Sequence, residues 1–243
     1  MIPKTIHYCW FGGKPLPMSV KKCIKSWKKK CPEYKIIQWN EGNFDVKSHP
    51  FLKAAYERKA WAFVSDYARL KIIYEQGGIY LDTDVELLRN LDLLLNYDSF
   101  FAIQQFSHLC NTGLGFGGKK GSFIVKEMLK LYDYIEFDIS KKRQISCPIL
   151  NDVAIKNLGY VYNEHEPVLI NSVMVYPPKY FDPYAPGTTK SLLCKDTISI
   201  HHYSASWMGK KAVFRRKVLI LLGPKYLYII KSVFQKIKNF VCY

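Results

Sequence analysis

Two carboxylates stand one residue apart in the stretch GGIYLDTDVELL, residues 77–88. Asp82 ends an apolar segment, residues 79–82, that we expect to be a buried strand, and Asp84 lies two residues further on. In an extended segment alternate side chains point to the same face, so both carboxylates would share one side. Two such oxygen ligands suit Mg²⁺ or Mn²⁺, which could neutralise a departing diphosphate. The same spacing also occurs in solvated turns, so the pair alone leaves both interpretations open.

Polar side chains on the preceding helix could join the aspartates. The segment SDYARL places Ser65 beside Asp66, and Asp66 three residues before Arg69, on a helix predicted over residues 61–75. Residues three apart are neighbours on a helix surface. Asp66 and Arg69 could therefore form only an intrahelical ion pair, or they could contact a ligand held at the aspartates.

Two further segments carry side chains suited to binding. Trp10 lies at the end of the first predicted strand, before glycines 12 and 13, where it could stack on a ligand or pack in the core. Near the end of the domain, ISIHHYSASW contains a polar and aromatic set, namely His201, His202, Ser204, Ser206 and Trp207. Either histidine could complete a metal shell, or both could be ordinary hydrogen-bonded residues.

Alternating strand and helix patterns predict an α/β domain. We expect strands over residues 4–10, 34–39 and 100–104, and helices over residues 17–30, 61–75 and 121–134. The helix at 61–75 has an apolar stripe of Phe63, Tyr67, Leu70 and Tyr74, and Gly77 and Gly78 are expected to end it. Residues 138–184 show the weakest pattern, apart from strand-like residues 168–176 around an Asn-Ser turn.

Composition bounds the class of protein. The chain has 243 residues, of which 49% are hydrophobic, enough for one large domain with a tail. Its seven cysteines include no C-x-x-C pair, which argues against a zinc site or a disulfide framework. The first residues do not resemble a secretory signal, and no apolar run is long enough to span a bilayer. We therefore expect a cytoplasmic protein with reduced cysteines.

Charge is concentrated at the end of the chain. Residues 209–243 contain nine Lys and Arg residues and no acid, and so supply +9 of the net +16. Apolar residues recur there at helical spacing, which predicts basic amphipathic helices that bind an anionic membrane surface. The alternative is a terminal helix pair docked on the domain. We expect a catalytic domain over residues 1–208 and a helical tail over 209–243, peripheral on the inner face of the plasma membrane.

Four blocks of the chain resemble the DXD-containing sugar transferases of glycosyltransferase family 32. In order along the chain, they are IPKTIHYCWFGGKPLP, SDYARLKIIYEQGGIYLDTDVELL, NTGLGFG and HHYSASW. The first, second and fourth blocks are also similar to the catalytic domain of the large clostridial glucosylating toxins. The resemblance implies a GT-A fold, that is, a Rossmann-like α/β domain that binds a nucleotide sugar and a divalent ion. It also implies retention of configuration at the anomeric carbon.

The resemblance implies roles for individual residues. The residues expected to contact the nucleotide sugar are Trp10, Ser65, Asp66, Arg69, Tyr80, Asp82, Ser206 and Trp207. The expected metal ligands are Asp82 and Asp84, with His201 or His202. Asn111 in NTGLGFG would lie near the reacting carbon, beside Asp66, Arg69 and the two aspartates in the catalytic set. Asp152 is a candidate for the acceptor site, which the resemblance leaves largely unassigned.

These features favour one function over two others. We expect transfer of a hexose or N-acetylhexosamine from a nucleotide sugar, preferentially a UDP-sugar, with Mn²⁺ or Mg²⁺. The acceptor would be a glycan, with a lipid-linked one as a candidate, in bacterial capsular polysaccharide, O-antigen or related cell-surface polysaccharide synthesis. A D-x-D phosphohydrolase would need a downstream lysine and acidic pair, which we do not find. A nucleic-acid-binding protein would carry a recognition motif, and the charge here lies mainly in one apolar-rich tail.

Overall fold

The structure is a computed structural model that describes residues 1–141, 144–185 and 191–204. Ser206, Trp207 and the predicted tail over 209–243 therefore lie outside the described residues. The helices are α1 (Met18–Lys30), α2 (Pro50–Glu57), α3 (Trp61–Gln76), α4 (Phe123–Lys130), α5 (Cys147–Asn157) and α6 (Pro178–Phe181). The strands are β1 (Thr5–Cys9), β2 (Lys35–Trp39), β3 (Gly78–Tyr80), β4 (Val85–Leu87), β5 (Ser99–Ala102), β6 (Phe116–Gly118), β7 (Val168–Ile170), β8 (Val173–Tyr176) and β9 (Ser199–His201).

Seven strands form one mixed sheet in the order β2-β1-β3-β6-β5-β8-β7. Strand β1 is parallel to β2 and β3, and β5 is parallel to β8, whereas β6 runs antiparallel to both β3 and β5. Helices α2 to α5 contribute to one buried hydrophobic cluster, and α1 contributes to a second. The α/β prediction is therefore confirmed. Strands β4 and β9 pair separately as a two-stranded antiparallel sheet.

Because β1, β3, β5 and β8 run in the same direction, their carboxyl ends meet at one edge of the sheet. Trp10 follows β1, Asp82 follows β3, Gln104 follows β5 and Asp182 follows β8 and α6. Antiparallel β6 begins at this edge, so the preceding segment with Asn111 also reaches it. Ligands of open α/β sheets bind outside the carboxyl ends of strands. This edge is therefore where the site should be sought.

Helix α3 is covered more completely than the predicted stripe implies. Phe63 and Tyr74 are only partly buried, while the buried set extends around the helix to Val64, Tyr67, Ala68, Arg69, Leu70, Ile72 and Ile73. The helix contacts α2, α4, β1 and β3, so little of its surface meets solvent. As a result the guanidinium of Arg69 lies inside the protein, 4% exposed.

The turn after α3 is fitted to a buried histidine. Gly77 has φ 67° and Gly78 has φ 112°, values that glycine adopts without a steric penalty. A Cβ on Gly78 would lie 2.7 Å from Nε2 of His7. His7 Nε2 lies 3.0 Å from the Gly77 carbonyl oxygen, and its Nδ1 accepts a 3.0 Å hydrogen bond from the Trp39 indole. These contacts fix a neutral imidazole between β1, β2 and the turn.

This histidine gives a pH-dependent stability. Burial lowers the pKa of His7 to about 4, whereas an unfolded histidine titrates near pH 6.5. The unfolded state then binds more protons between these values, so the stabilisation is present above the unfolded pKa and falls as the pH drops towards the folded one. We expect a loss of about 3 kcal/mol from this group. Urea unfolding of the wild type and His7→Gln from pH 8 to pH 4.5 measures it. A pH-independent difference between their unfolding free energies would contradict the assignment.

Other sequence predictions have mixed outcomes. The strand pair at residues 168–176 is confirmed as the β7–β8 hairpin, with Asn171 at φ 46° and Ser172 at φ 65° in the turn.

Helices α2 and α5 were not predicted from the sequence. The six cysteines among the described residues are free, and Cys194 is the exposed one. Within the same residues, no helix is both long and apolar enough to cross a bilayer.

Candidate active site

The two aspartates lie in a turn, so the predicted strand over residues 79–82 is too long. Strand β3 ends at Tyr80, and the Val85 amide donates a 3.0 Å hydrogen bond to the Asp82 carbonyl oxygen. The bond closes a four-residue turn that leads directly into β4. The prediction of an extended pair was wrong about the backbone. The turn nevertheless holds the two carboxylates close together.

Asp82, Asp84 and His201 form a cluster whose ligand atoms lie within 4.8 Å of one another. We call it the Asp82/Asp84/His201 cluster. His201 is the last residue of β9, opposite Val85 in the two-stranded sheet, and its Nε2 lies 3.0 Å from Asp84 Oδ1. The Ser204 amide and hydroxyl donate to Asp84 Oδ2 at 2.7 and 3.0 Å.

The pKa values of Asp84 and His201 are shifted in opposite directions by their contact. Burial alone would raise the pKa of the Asp84 carboxyl, but His201 and the hydrogen bonds from Ser204 outweigh it and lower that pKa. Burial would likewise lower the pKa of His201, but the neighbouring Asp84 raises it. The cluster therefore keeps an ionised carboxylate in a largely buried position.

His202 lies away from the cluster. Its Nε2 is 2.9 Å from Glu86 Oε2, and both side chains are more than two-fifths exposed, 45% and 43%. The sequence could not choose between the two histidines. The structure brings His201, and not His202, to the aspartates, which corrects the inclusion of His202 among the expected ligands.

Arg69 bridges the predicted helix pair to the first aspartate. Its Nη2 lies 3.0 Å from Asp66 Oδ1 and 3.2 Å from Asp82 Oδ1, and its guanidinium stacks 4.9 Å from the centre of the Tyr80 ring. The Tyr80 hydroxyl donates to Asp82 Oδ1 at 3.1 Å. Burial raises the pKa of Asp66 to about 6 and also raises that of Asp82, while Arg69 opposes both shifts. The intrahelical ion pair exists, and it is part of a larger charged network.

The NTGLGFG segment completes the edge beside Arg69. Asn111 donates from Nδ2 to Gln104 Oε1 at 2.9 Å and accepts from the Gly113 amide at 2.8 Å. A Cβ on Gly113 would lie 2.5 Å from Asp82 Oδ2 and 3.1 Å from Arg69 Nη1. Any larger residue at position 113 would therefore displace the Asp82 carboxylate, and it would crowd the Arg69 guanidinium.

Gly113→Ala therefore tests whether activity depends on the position of the Asp82 carboxylate. The added methyl group must displace the Asp82 carboxylate, so we expect cleavage of the nucleotide sugar predicted from the sequence to fall by about 100-fold, the scale found when a reacting geometry is misplaced by about 1 Å. The melting temperature should change by only a few degrees. Gly121→Ala is the control for an added methyl group, since a Cβ there meets nothing within 4 Å; its φ of 75° strains any side chain, so its effect should appear in stability and not in cleavage. Equal activity of Gly113→Ala and wild type would contradict the proposed placement.

Helix α5 brings in residues that the sequence analysis missed. Asp66 accepts a hydrogen bond from the backbone amide of Cys147, the first residue of α5. The Cys147 sulfur lies 3.0 Å from both Thr112 Oγ1 and Asn151 Nδ2. The sequence signal was Ser146 followed by a proline in the first turn, a pattern that begins helices.

Asp152 is buried between α5 and the segment before Asn111. It is 4% exposed, its Oδ1 accepts from the Cys110 amide at 3.3 Å, and its Oδ2 lies 2.7 Å from Lys156 Nζ. These contacts tie α5 to the segment before Asn111. The geometry gives Asp152 a structural position instead of the expected acceptor contact.

Trp10 lies at the same edge, on the side of β1. Its indole nitrogen donates to the Lys14 carbonyl oxygen at 2.5 Å, which closes the glycine loop and fixes the partly buried ring. A Cβ on Gly12 would lie 2.8 Å from the Trp61 ring, so a second indole packs against this loop.

Ser65, on α3, has a backbone contact with Arg69. Its carbonyl oxygen accepts a hydrogen bond from Arg69 Nε at 3.0 Å. Stacking of Trp10 on a nucleotide base stays a prediction, as do the roles of Ser206 and Trp207.

The chain is similar in sequence to known glycosyltransferases. A family model described as "Glycosyltransferase sugar-binding region containing DXD motif" matches residues 17–101. Inositol phosphoceramide mannosyltransferase 3 of Schizosaccharomyces pombe is 31% identical over 119 residues, which cover 47% of this chain and 33% of that protein. An uncharacterized glycosyltransferase of Acanthamoeba polyphaga mimivirus is 25% identical over 240 residues, covering 91% and 92%. The chain thus spans about a third of the fungal relative's length and most of the viral one's.

Among solved structures, the PaToxG glycosyltransferase superposes with a TM-score of 0.52 at 20% identity, covering 64% of this chain and 69% of that chain. This likeness concerns the fold, which is the GT-A type with a Rossmann-like sheet. The segment that matches the sugar-binding region, residues 17–101, includes both aspartates at the sheet edge.

Proposed function

We propose that the protein transfers a hexose or N-acetylhexosamine from a nucleotide sugar, with UDP as the first candidate nucleotide, to a hydroxyl of a glycan acceptor. One observation carries the proposal: the ligand atoms of Asp82, Asp84 and His201 converge within 4.8 Å beside the buried Arg69. Transfer from a nucleotide sugar releases a diphosphate, and positive charge at that place stabilises the leaving group. Retention of configuration is proposed from the sequence resemblance.

The cluster fits a divalent cation. Two carboxylates supply the hard oxygen ligands that Mg²⁺ and Mn²⁺ prefer, and an imidazole favours a transition metal, hence Mn²⁺ over Mg²⁺. Nε2 of His201 faces the carboxylates, 3.0 Å from Asp84 Oδ1, while Nδ1 is buried and has no hydrogen-bond partner among the residues that the structure describes. Asp82, Asp84 and His201 would hold the ion, which would supply Lewis-acid neutralisation of diphosphate oxygens.

The protein's own side chains would orient the donor. Arg69 is a fixed cation held by Asp66 and Asp82, so it can face diphosphate oxygens without moving. Asp66 can accept a hydrogen bond from a sugar hydroxyl, because its position is fixed by Arg69 and the α5 amide. Asn111 presents an amide beside Gly113, where the absence of a side chain lets Asp82 and Arg69 lie close to this segment. These groups are preorganised, which lowers the cost of aligning the reacting atoms.

The test is nucleotide release from a donor panel. The protein is incubated with Mn²⁺, Mg²⁺ or EDTA and with UDP-glucose, UDP-galactose, UDP-N-acetylhexosamines, and GDP- and ADP-sugars. We expect slow, metal-dependent cleavage of one donor without acceptor and faster cleavage with it. GDP-mannose belongs in the panel because the fungal relative is named a mannosyltransferase. Absence of binding and cleavage for all donors would contradict the proposal.

We further propose that the acceptor is a lipid-linked glycan of a cell-surface polysaccharide, met at the cytoplasmic face of the membrane. The name of the fungal relative specifies a lipid, inositol phosphoceramide, which supports a lipid-linked acceptor. The basic segment 209–243 supports binding to an anionic surface, since each Lys or Arg near such a surface contributes about 1 kcal/mol.

Truncation after Met208 tests the role of this segment. We expect the truncated protein to keep its cleavage activity within about threefold, since the Asp82/Asp84/His201 cluster precedes the cut. Cosedimentation with anionic vesicles should be lost, and that of the full chain should weaken as salt shortens the screening length. Neutral vesicles are the control for charge. Unfolding of the truncated protein, or unchanged cosedimentation, would instead support helices docked on the domain.

A further inference from the structure

Asp182 is a buried acid outside the set expected from the sequence. It follows α6 and is fully buried. Its Oδ2 accepts from the Gln105 amide at 2.8 Å and from the Tyr203 hydroxyl at 2.7 Å. One carboxylate therefore joins three separate parts of the sheet edge: the end of α6, the loop after β5 and the segment after β9. Its other oxygen, Oδ1, has no hydrogen-bond partner within the described ranges.

Tyr203 lies between the two residues that hold Asp84. His201 and Ser204 contact opposite oxygens of the Asp84 carboxylate. The Tyr203 ring packs edge-on against the His201 imidazole, with 4.1 Å between ring centres. Its backbone has φ 49°, a left-handed conformation that is costly for a residue with a side chain. Something must hold this conformation, and the Asp182 carboxylate is in place to do so.

We propose that Asp182 and Tyr203 are positioning residues that fix the Asp84–His201 pair in its ligand geometry and so set the affinity of the cluster for a divalent cation. The inference rests on the proposed function, since it concerns the same cluster. Asp182 anchors the Tyr203 hydroxyl, Tyr203 orients the His201 ring, and the resulting backbone path directs Ser204 to Asp84. The carboxylate is retained at a cost, because burying an oxygen without a partner is unfavourable. That cost is consistent with a functional constraint on the position.

A merely structural anchor gives a different expectation. If Asp182 only tied the β9 segment to the domain, its loss would lower the melting temperature but leave cation affinity unchanged in the folded protein. A positioning role predicts the reverse, a large change in affinity with a small change in melting temperature. Partners that orient metal ligands typically contribute 10- to 100-fold to affinity.

The experiment measures Mn²⁺ binding to the full chain by titration calorimetry and by the paramagnetic resonance signal of free Mn²⁺, without any donor. We expect Tyr203→Phe, which keeps the ring and removes the hydroxyl, to raise the Mn²⁺ dissociation constant about tenfold. Asp182→Asn keeps an acceptor oxygen, so its loss should be smaller. The double variant should be no worse than Tyr203→Phe, because both changes break one link.

Tyr8→Phe is the matched control, since it removes a tyrosine hydroxyl with a 2.8 Å hydrogen bond, to Gln38, outside this network. It should leave Mn²⁺ affinity unchanged. Wild-type affinity in folded Tyr203→Phe and Asp182→Asn would overturn the inference while leaving the proposed function intact. A wild-type protein that binds no Mn²⁺ would overturn both.

Discussion

Replacing Asp84 by asparagine is expected to reduce metal-dependent cleavage of the nucleotide sugar by at least about 100-fold, the scale of losing one preorganised electrostatic contact. Asparagine has nearly the same shape and can still accept a hydrogen bond, but it carries no charge to hold a cation. Asp84 is ionised in the folded protein because His201 and Ser204 lower its pKa against the effect of burial. The measurement is initial rate against Mn²⁺ concentration.

Glu86→Gln provides the control for Asp84→Asn. Glu86 lies two residues further along the same segment, is 43% exposed and pairs with His202 instead of the cluster. We expect its rate to remain within about twofold of wild type, as for a surface ion pair of small energy. Wild-type turnover in Asp84→Asn would refute the metal assignment, whereas equal losses in both variants would indicate a general effect of charge.

Replacing Arg69 by methionine is expected to cost about 3–5 kcal/mol of unfolding free energy, because it leaves two carboxylates buried without their cation. Asp66 and Asp82 lie 3.0 and 3.2 Å from its guanidinium. Arg69→Lys should recover only part of the loss, since one ammonium cannot reproduce the planar fork that contacts both acids. Urea unfolding measures stability, and donor cleavage should be lost in both variants.

The pH dependence of this loss identifies its cause. Without Arg69 the pKa values of Asp66 and Asp82 rise further above those of the unfolded chain. The Arg69→Met penalty should therefore be largest above neutral pH and shrink as the pH falls and the acids are protonated. Arg89→Met is the control, because the Arg89 side chain is 53% exposed and forms a surface ion pair with Asp196. It should lower the unfolding free energy by under about 0.5 kcal/mol. A penalty for Arg69→Met that does not change with pH would point to lost packing.

Local sequence patterns predicted most of the elements that carry the site. Hydrophobic periodicity located β1, α1, β2 and α3 to within about two residues, and the two glycines after α3 marked its end. The spacing of Asp66 and Arg69 indicated an ion pair, which the structure contains. These features depend on contacts between residues close in sequence, and such contacts leave a local signal.

The remaining features depend on residues distant in sequence. The sheet topology determines three of them. It brings Arg69 to Asp82, it places His201 instead of His202 at the aspartates, and it packs α5 against Asp66. Asp182 gave no signal, since an isolated acid in a polar segment is usually exposed. The turn at Asp82 was missed because apolar residues continue up to it, and the pairing of β4 with β9 required both partners to be known.

The pairing of β4 with β9 has a consequence for synthesis of the protein. Asp84 precedes β4 directly, whereas His201 ends β9, so more than a hundred residues must emerge from the ribosome between the two ligands. Strands β1, β2 and β3, with Arg69 and Asp82, are translated early, but the Asp82/Asp84/His201 cluster cannot be complete until residues 199–204 are translated. Contacts of such high sequence separation also form slowly. Completion of this candidate site therefore comes late in synthesis, after the strands of the seven-stranded sheet have been translated.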